Sequence, residues 1–207
     1  MPADSATLLN VVATRVEDRG GERAIRAASV LFITVLTAAA AQISFPLPFT
    51  QVPFTFQPMV VLVGGLVLGS RLGLASQVLY LAAGIAGLPV FATSATLPPG
   101  LLRLIGPTGG YLMAYPLAAF VVGTLAEHQF ARRYLSSVAA MLVGLAIIYA
   151  CGTVWLAYFA KLQSGSAAVG LATALATGVY PFVLADLVKL VAAAGITPGL
   201  WRVIGTR

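Results

Sequence analysis

The chain has 207 residues, 59% of them hydrophobic and only 9% charged, with a mean hydropathy of +0.96. A soluble domain of this length needs a charged surface that is missing here, so an integral membrane protein is expected. The net charge of +6 then reads as membrane topology, and a nucleic-acid partner is not expected.

The first 26 residues carry Arg15, Arg19, Arg23 and Arg26 together with four acids. Their apolar run, residues 8–13, is too short for the hydrophobic core of a cleavable signal peptide. Six apolar stretches follow, at residues 27–43, 54–69, 72–90, 109–126, 136–160 and 167–196. A crossing helix needs about 17–25 residues, so the second is short and the last long. The expected architecture is all-α, a six-helix integral membrane domain over 27–196, with 1–26 as a cytoplasmic segment and 197–207 as a cytoplasmic tail. Six spans put both termini on one side. That side holds Arg15, Arg19, Arg23, Arg26, Arg71, Arg132, Arg133, Arg202 and Arg207, against Arg103 and Lys161 on the other, which makes it the cytoplasmic one.

The first span carries Thr34/Ala38 and Thr37/Ala41, a small-residue stripe that lets another helix approach closely, and Gly65 and Gly69 form a GxxxG on the second. Either pattern suits a partner helix or a contact inside one bundle. Between these spans runs Phe45-Pro46-Leu47-Pro48-Phe49-Thr50-Gln51-Val52-Pro53-Phe54, uncharged and full of helix breakers. Such a segment cannot be helical throughout and should pack as a cap over the bundle mouth, or lie in the lipid interface. Gln77 and Tyr80 share a face of the third span, and Tyr111 and Tyr115 share one of the fourth; both pairs are candidates for polar contacts and an aromatic wall. The intervening loop holds Pro98, Pro99 and Arg103 and ends in Gly106-Pro107-Thr108-Gly109-Gly110-Tyr111. Its glycines permit close backbone approach, and the free N–H groups of a helix start there would suit an anion.

Asp186 and Lys189 stand in the last apolar stretch. Each charge costs about 2.5–3.5 kcal/mol at mid-membrane, so both should face the bundle interior or a polar cavity. Three helical steps turn a side chain by about 300° and raise it about 4.5 Å, placing the two on one face. They can pair with each other, merely tying helices together, or both can point at one ligand. Cys151 and His128 are the sole residues of their kinds, so no internal disulfide and no Cys/His metal cluster can form, and His128 is expected to be ordinary loop surface. A GxxxxGK[ST] loop is absent from the sequence, so any ATP drive must come from another chain.

Four phrases in order, from Ile43 through Gln57, Gly87-Leu88-Pro89-Val90-Phe91, Gly106 through Leu112 and Asp186-Leu187-Val188-Lys189, closely resemble the biotin-binding S components of energy-coupling-factor vitamin transporters, the BioY family. The resemblance covers roughly residues 27–196. It implies a bacterial cytoplasmic-membrane protein, not an enzyme, that captures biotin as transported ligand with no cofactor. Its partners would be membrane lipid, a transmembrane coupling subunit and ATPase subunits, and a homo-oligomer stays open. In the family the Asp-x-x-Lys pair belongs to the biotin site, which points to Asp186 and Lys189. The chemistry agrees: Asp186 can accept from ureido N–H groups, while Lys189 can hold Asp186 ionised or bind a ligand acceptor. Arg103 is the candidate for the valerate carboxylate. An alanine-rich pattern on the family's first helix contacts the coupling subunit, which makes Thr34, Thr37, Ala38 and Ala41 the candidate docking face. The rivals are a solo ion-coupled carrier and a membrane-embedded enzyme using Asp186 and Lys189. The first lacks visible inverted repeats and the second lacks a nucleophile, metal or cofactor motif.

Overall fold

Helices form over the apolar runs and stop where Gly, Pro or a polar cap ends the pattern. The computed structural model describes residues 7–16, 18–45, 47–93, 100–160 and 169–204. In chain order these form α1 (Leu8–Ala13), α2 (Arg19–Gln42), β1 (Ser44–Phe45), β2 (Phe54–Thr55), α3 (Gln57–Leu68), α4 (Ser70–Ile85) and α5 (Leu102–Ile105). There follow α6 (Gly109–Glu127), a 3-10 turn (Phe130–Arg132), α7 (Tyr134–Tyr158), α8 (Leu171–Gly178), α9 (Tyr180–Ala193) and α10 (Ile196–Ile204). Pro98, Pro99, Lys161 and the first residues of the expected 167–196 span lie outside the described residues.

The chain is membrane-embedded. Among the described residues, α2, α6, α7 and the segment Tyr180–Ile204 are long and apolar enough to cross a bilayer. Helix α6 is central, with 61% of its apolar window buried, against 28% for the peripheral α2. Helix α2 begins at Arg19, well before the expected start at residue 27, because Asp18 accepts from Gly21 N–H at 3.1 Å and Glu22 pairs with Arg26 at 2.8 Å. The 12 residues of α3 reach only about 18 Å, short of a hydrocarbon core of about 30 Å. The missing length is supplied by the hairpin of β1 and β2, paired Ser44 with Thr55 and Phe45 with Phe54.

Two expectations need correction. The last span is not one helix: it breaks at Gly178–Val179, where Val179 sits at φ −126°, ψ −63° and Pro181 has no N–H to give the preceding turn. Nor is the small-residue stripe of α2 free for a partner. Thr34 Oγ1 donates to Ser76 O at 2.9 Å, Thr37 Oγ1 accepts from Gln77 Nε2 at 3.3 Å, Ala41 is fully buried and Ala38 packs half-buried on the core. Small residues here let α4 close on α2 within the bundle, so Thr34, Thr37, Ala38 and Ala41 are not an exposed docking face. The exposed side of α2 is instead Leu31, Phe32, Val35, Leu36 and Ala39. Gly65 is likewise internal, since a Cβ there would overlap the Ala119 carbonyl of α6.

The arginine-rich end is held together by its own contacts. Glu127 accepts from both the backbone N–H and the hydroxyl of Ser70 at 2.8 Å, Arg132 lies 4.6 Å over the Trp201 ring, and Arg15 donates to Ile204 O at 2.6 Å. These bonds gather the start of α4, the α6–α7 turn, α1 and α10 at one end, and Arg71, Arg132, Arg133 and Arg202 with them. Both α1 and α10 lie in segments expected to flank the membrane domain, and Leu8, Leu9 and Ala13 of α1 are buried. His128 is exposed, as expected of loop surface.

Overpacking a buried small residue costs about 1–3 kcal/mol, so Ala41→Leu should lower the thermal unfolding midpoint of the purified protein by roughly 2–10 °C. Ala39→Leu, the same change on the exposed side of α2, should leave it within about 1 °C. Intrinsic fluorescence during a thermal ramp reads both.

Candidate functional site

At the end opposite the arginines, the short α3 and the break between α8 and α9 leave room that the hairpin loop covers. The result is a cavity of about 360 Å³, within the range of about 300–1,000 Å³ typical of small-molecule sites. Its walls are largely aromatic, from Phe54, Phe91, Tyr111, Tyr115, Tyr149 and Phe182, with polar groups from Gln57, Arg103, Thr108 and Asp186. Residues 50–55 close one side as a cap does, while Phe45 and Phe49 of the same loop are exposed. Unwound backbone at membrane depth is tolerated where it lines a cavity, and Gly178, at the break, lines this one.

Asp186, on α9, is 8% exposed and reaches the cavity wall. Its Oδ2 accepts from the Tyr149 hydroxyl at 2.6 Å and its Oδ1 pairs with Lys189 Nζ at 2.5 Å. Lys189 does not line the cavity. Its ammonium donates to the Thr55 carbonyl at 2.7 Å and lies 3.9 Å from the Phe54 ring centroid and 5.2 Å from that of Phe56. The two charges are thus paired, as their spacing implies, with only the carboxylate presented to the cavity.

Arg103, on α5, is folded inward at 7% exposure. Nη2 donates to Ala92 O at 2.6 Å, and the buried Nε has no hydrogen-bond partner among the described residues. Burial lowers the guanidinium pKa, the direction in which desolvation pushes any cation. A cation so placed, with a donor to spare, gains from an anionic ligand.

The remaining candidates divide. Tyr111 and Tyr115 are on the wall, with the Tyr111 hydroxyl donating to Gly178 O at 2.9 Å across the helix break. Glycine is required at Gly152 and Gly178, because a Cβ at either would overlap the Tyr111 side chain. Tyr80 stands one layer behind: its hydroxyl accepts from Gln57 Nε2 at 2.5 Å and donates to Val90 O at 3.2 Å, and its ring meets Phe91 edge-on at 5.5 Å. It shapes the wall without forming it. Gln77 is farther off, bonded to Thr37 and Ser76 between α2 and α4, and is corrected from a pocket residue to a helix-packing one. Of the helix start expected to suit an anion, the Gly109 N–H is spent and both glycines serve close packing. Gly109 N–H already bonds Gly106 O at 3.1 Å, and Cβ atoms at the two glycines would overlap Leu104 O and the Trp155 side chain.

Sequence reasoning missed Tyr149, Phe182 and Gln57. Tyr149 left one signal, a phenol well inside an apolar span rather than at its end, where interfacial anchors sit.

The BioY family profile matches residues 13–206. This chain belongs to the BioY family. It is 39% identical over 171 residues to a probable biotin transporter BioY of Pyrococcus horikoshii, covering 83% of this chain and 93% of that protein. It is 41% identical to a biotin transporter BioY of Thermotoga maritima over 78% of this chain and 86% of that one. Among solved structures, the S component for biotin from an ECF-type ABC transporter superposes with a TM-score of 0.76 over 90% of this chain and 95% of its own, at 23% identity. BioY relatives and a shared fold therefore coincide on a chain whose cavity holds one buried carboxylate and one buried guanidinium.

Removing one partner of a buried ion pair costs about 3–5 kcal/mol, whereas removing both leaves no orphaned charge. The double variant Asp186→Asn, Lys189→Met should therefore unfold at a higher temperature than either single variant. Additive losses would mean that the two side chains are not coupled.

Proposed function

We propose that this chain captures biotin in the cavity between the hairpin and α9 and serves as the substrate-binding subunit of an ECF-type importer. The observation that carries this reading is a buried carboxylate and a buried guanidinium on the walls of one aromatic cavity. Biotin offers two ureido N–H donors, an apolar thiophane and a carboxylate, which match those three features. A carboxylate has about four lone-pair positions, so Asp186 can take ureido N–H groups while keeping Tyr149 and Lys189. Arg103 keeps its bond to Ala92 and gives Nε, with its remaining donors, to the valerate. Tyr111, Tyr115, Phe91 and Phe182 flank the thiophane. Gln57, held by Tyr80, adds a polar group to the same wall.

The protein lies in the bacterial cytoplasmic membrane with the arginine-rich end and both termini in the cytoplasm, so the cavity faces outward. Energy comes from a coupling subunit and ATPases on other chains. With Thr34, Thr37 and Ala41 spent inside the bundle, a coupling subunit meets a different face of the protein. The site needs no cofactor.

Labelled biotin should bind the purified chain and be displaced by unlabelled biotin, but not by thiamine or riboflavin. Asp186→Asn should weaken binding at least about tenfold, which corresponds to 1.4 kcal/mol. Biotin amide, which cannot engage Arg103 as an anion, should weaken by a similar factor. Absence of binding at micromolar biotin would overturn the assignment.

A further inference from the structure

The cavity wall includes one amide, and its surroundings fix which way round it sits. Gln57 opens α3, is 3% exposed and lines the cavity. A carboxamide has two ends of nearly equal shape, a donor nitrogen and an acceptor oxygen, so what it offers a ligand depends on what holds the other end. Here that is the Tyr80 hydroxyl, 2.5 Å from Nε2. Tyr80 is fully buried, and its ring is held edge-on to Phe91 at 5.5 Å and beside Tyr115 at 6.5 Å, so the phenol is a fixed post. It has one proton, and its other neighbour, Val90 O at 3.2 Å, is a carbonyl with none to give. The phenol proton therefore goes to Val90, and the phenol oxygen can only accept from Gln57. The amide must turn its nitrogen to Tyr80 and its oxygen away. Among the described residues, that Oε1 has no hydrogen-bond partner. The little surface Gln57 keeps is on the cavity wall, so Oε1 is an acceptor offered to a ligand.

We propose that Tyr80 is a positioning residue that sets the hydrogen-bond polarity of Gln57, and that Gln57 Oε1 accepts one ligand N–H, which makes the pair a specificity determinant. This rests on the reading of the cavity as a biotin site and deepens it. The donors of ionised biotin are its two ureido N–H groups, on opposite sides of the ureido carbonyl, so one meets Asp186 and the other Gln57. An amide turned the other way would set N–H against N–H. A ligand without that donor leaves Oε1 unpaired in a cavity poor in water and binds more weakly. Tyr80 does this without touching the ligand, since it stands outside the cavity lining.

The test is a double-mutant cycle read with biotin and its two mono-N-methyl derivatives, each of which lacks one ureido donor. In the parent, both derivatives should bind at least about tenfold more weakly than biotin, the effect of leaving a buried acceptor unpaired. Gln57→Met keeps the side-chain length and removes the amide, so biotin should bind about tenfold more weakly. The penalty should then shrink by a similar factor for the derivative methylated on the nitrogen that faces Gln57, and stay as it was for the other. Tyr80→Phe removes only the hydroxyl; it should weaken biotin by about threefold to tenfold and shrink the same single penalty. The double variant should bind biotin within about twofold of Gln57→Met alone, because Tyr80 then has no amide to orient. Additive losses would overturn the proposal, since Tyr80 would then support the fold rather than the amide. Penalties unchanged for both derivatives in Gln57→Met would overturn it too, by placing both ureido donors on other acceptors. Should Gln57→Met fail to fold, Tyr80→Phe decides by itself: one derivative's penalty must shrink and the other's must not, and any other pattern overturns the proposal. A parent that binds no biotin removes the cavity assignment itself, whereas a parent that binds biotin with an additive cycle removes only the role of this pair, so the two failures are distinguishable.

Discussion

A carboxylate buried in a membrane protein is the constraint around which this structure is arranged. Left alone, a buried Asp186 carboxylate would destabilise the fold, and it is kept in place by one hydroxyl and one ammonium, each on its own oxygen. Those partners bring three elements to one point: α7 through Tyr149, α9 through Lys189, and β2 through the Thr55 carbonyl that Lys189 also holds. A buried pair replaced by packed apolar residues would be no less stable, so its presence points to use rather than to stability.

Departures from regular helix gather at the same place. The break at Gly178–Val179 and the chain between α4 and α5 leave backbone that needs partners away from water. Each finds one at the cavity: Gly178 O takes the Tyr111 hydroxyl, Val90 O takes the Tyr80 hydroxyl, and Ala92 O takes Arg103. The opposite end carries the arginines and closes through ordinary caps and ring contacts. A single chain thus divides into an end that anchors and an end that binds.

How far the sequence could be read follows the same division. Apolar runs announce membrane helices because hydrocarbon admits little else, and charges inside such runs announce a site because they are costly there. Asp186 and Lys189 were legible on those grounds and Arg103 as a cation on an outer loop, and resemblance to the BioY family sharpened them. What was hidden depends on rotation about a helix axis and on depth. Thr37 and Gln77 looked available to a partner or a ligand, but each found the other, which sequence spacing on two separate helices does not encode. Tyr80 shares a face with Gln77 and yet lies next to the cavity, one turn nearer that end. Tyr149 was invisible as a site residue because its role exists only through α9. The spacing of Lys189 to Asp186 leaves it either a partner of that carboxylate or a ligand contact, and the Thr55 carbonyl it also meets comes from far away in the chain.

The most direct measurement of the central claim is an experimental structure of the chain with biotin bound. The account places the ureido ring against Asp186 and the valerate carboxylate on Arg103, each at hydrogen-bond distance, with Lys189 still on the Thr55 carbonyl. Biotin seated elsewhere, or bound in this cavity with its carboxylate at Lys189 and Arg103 unengaged, would contradict it.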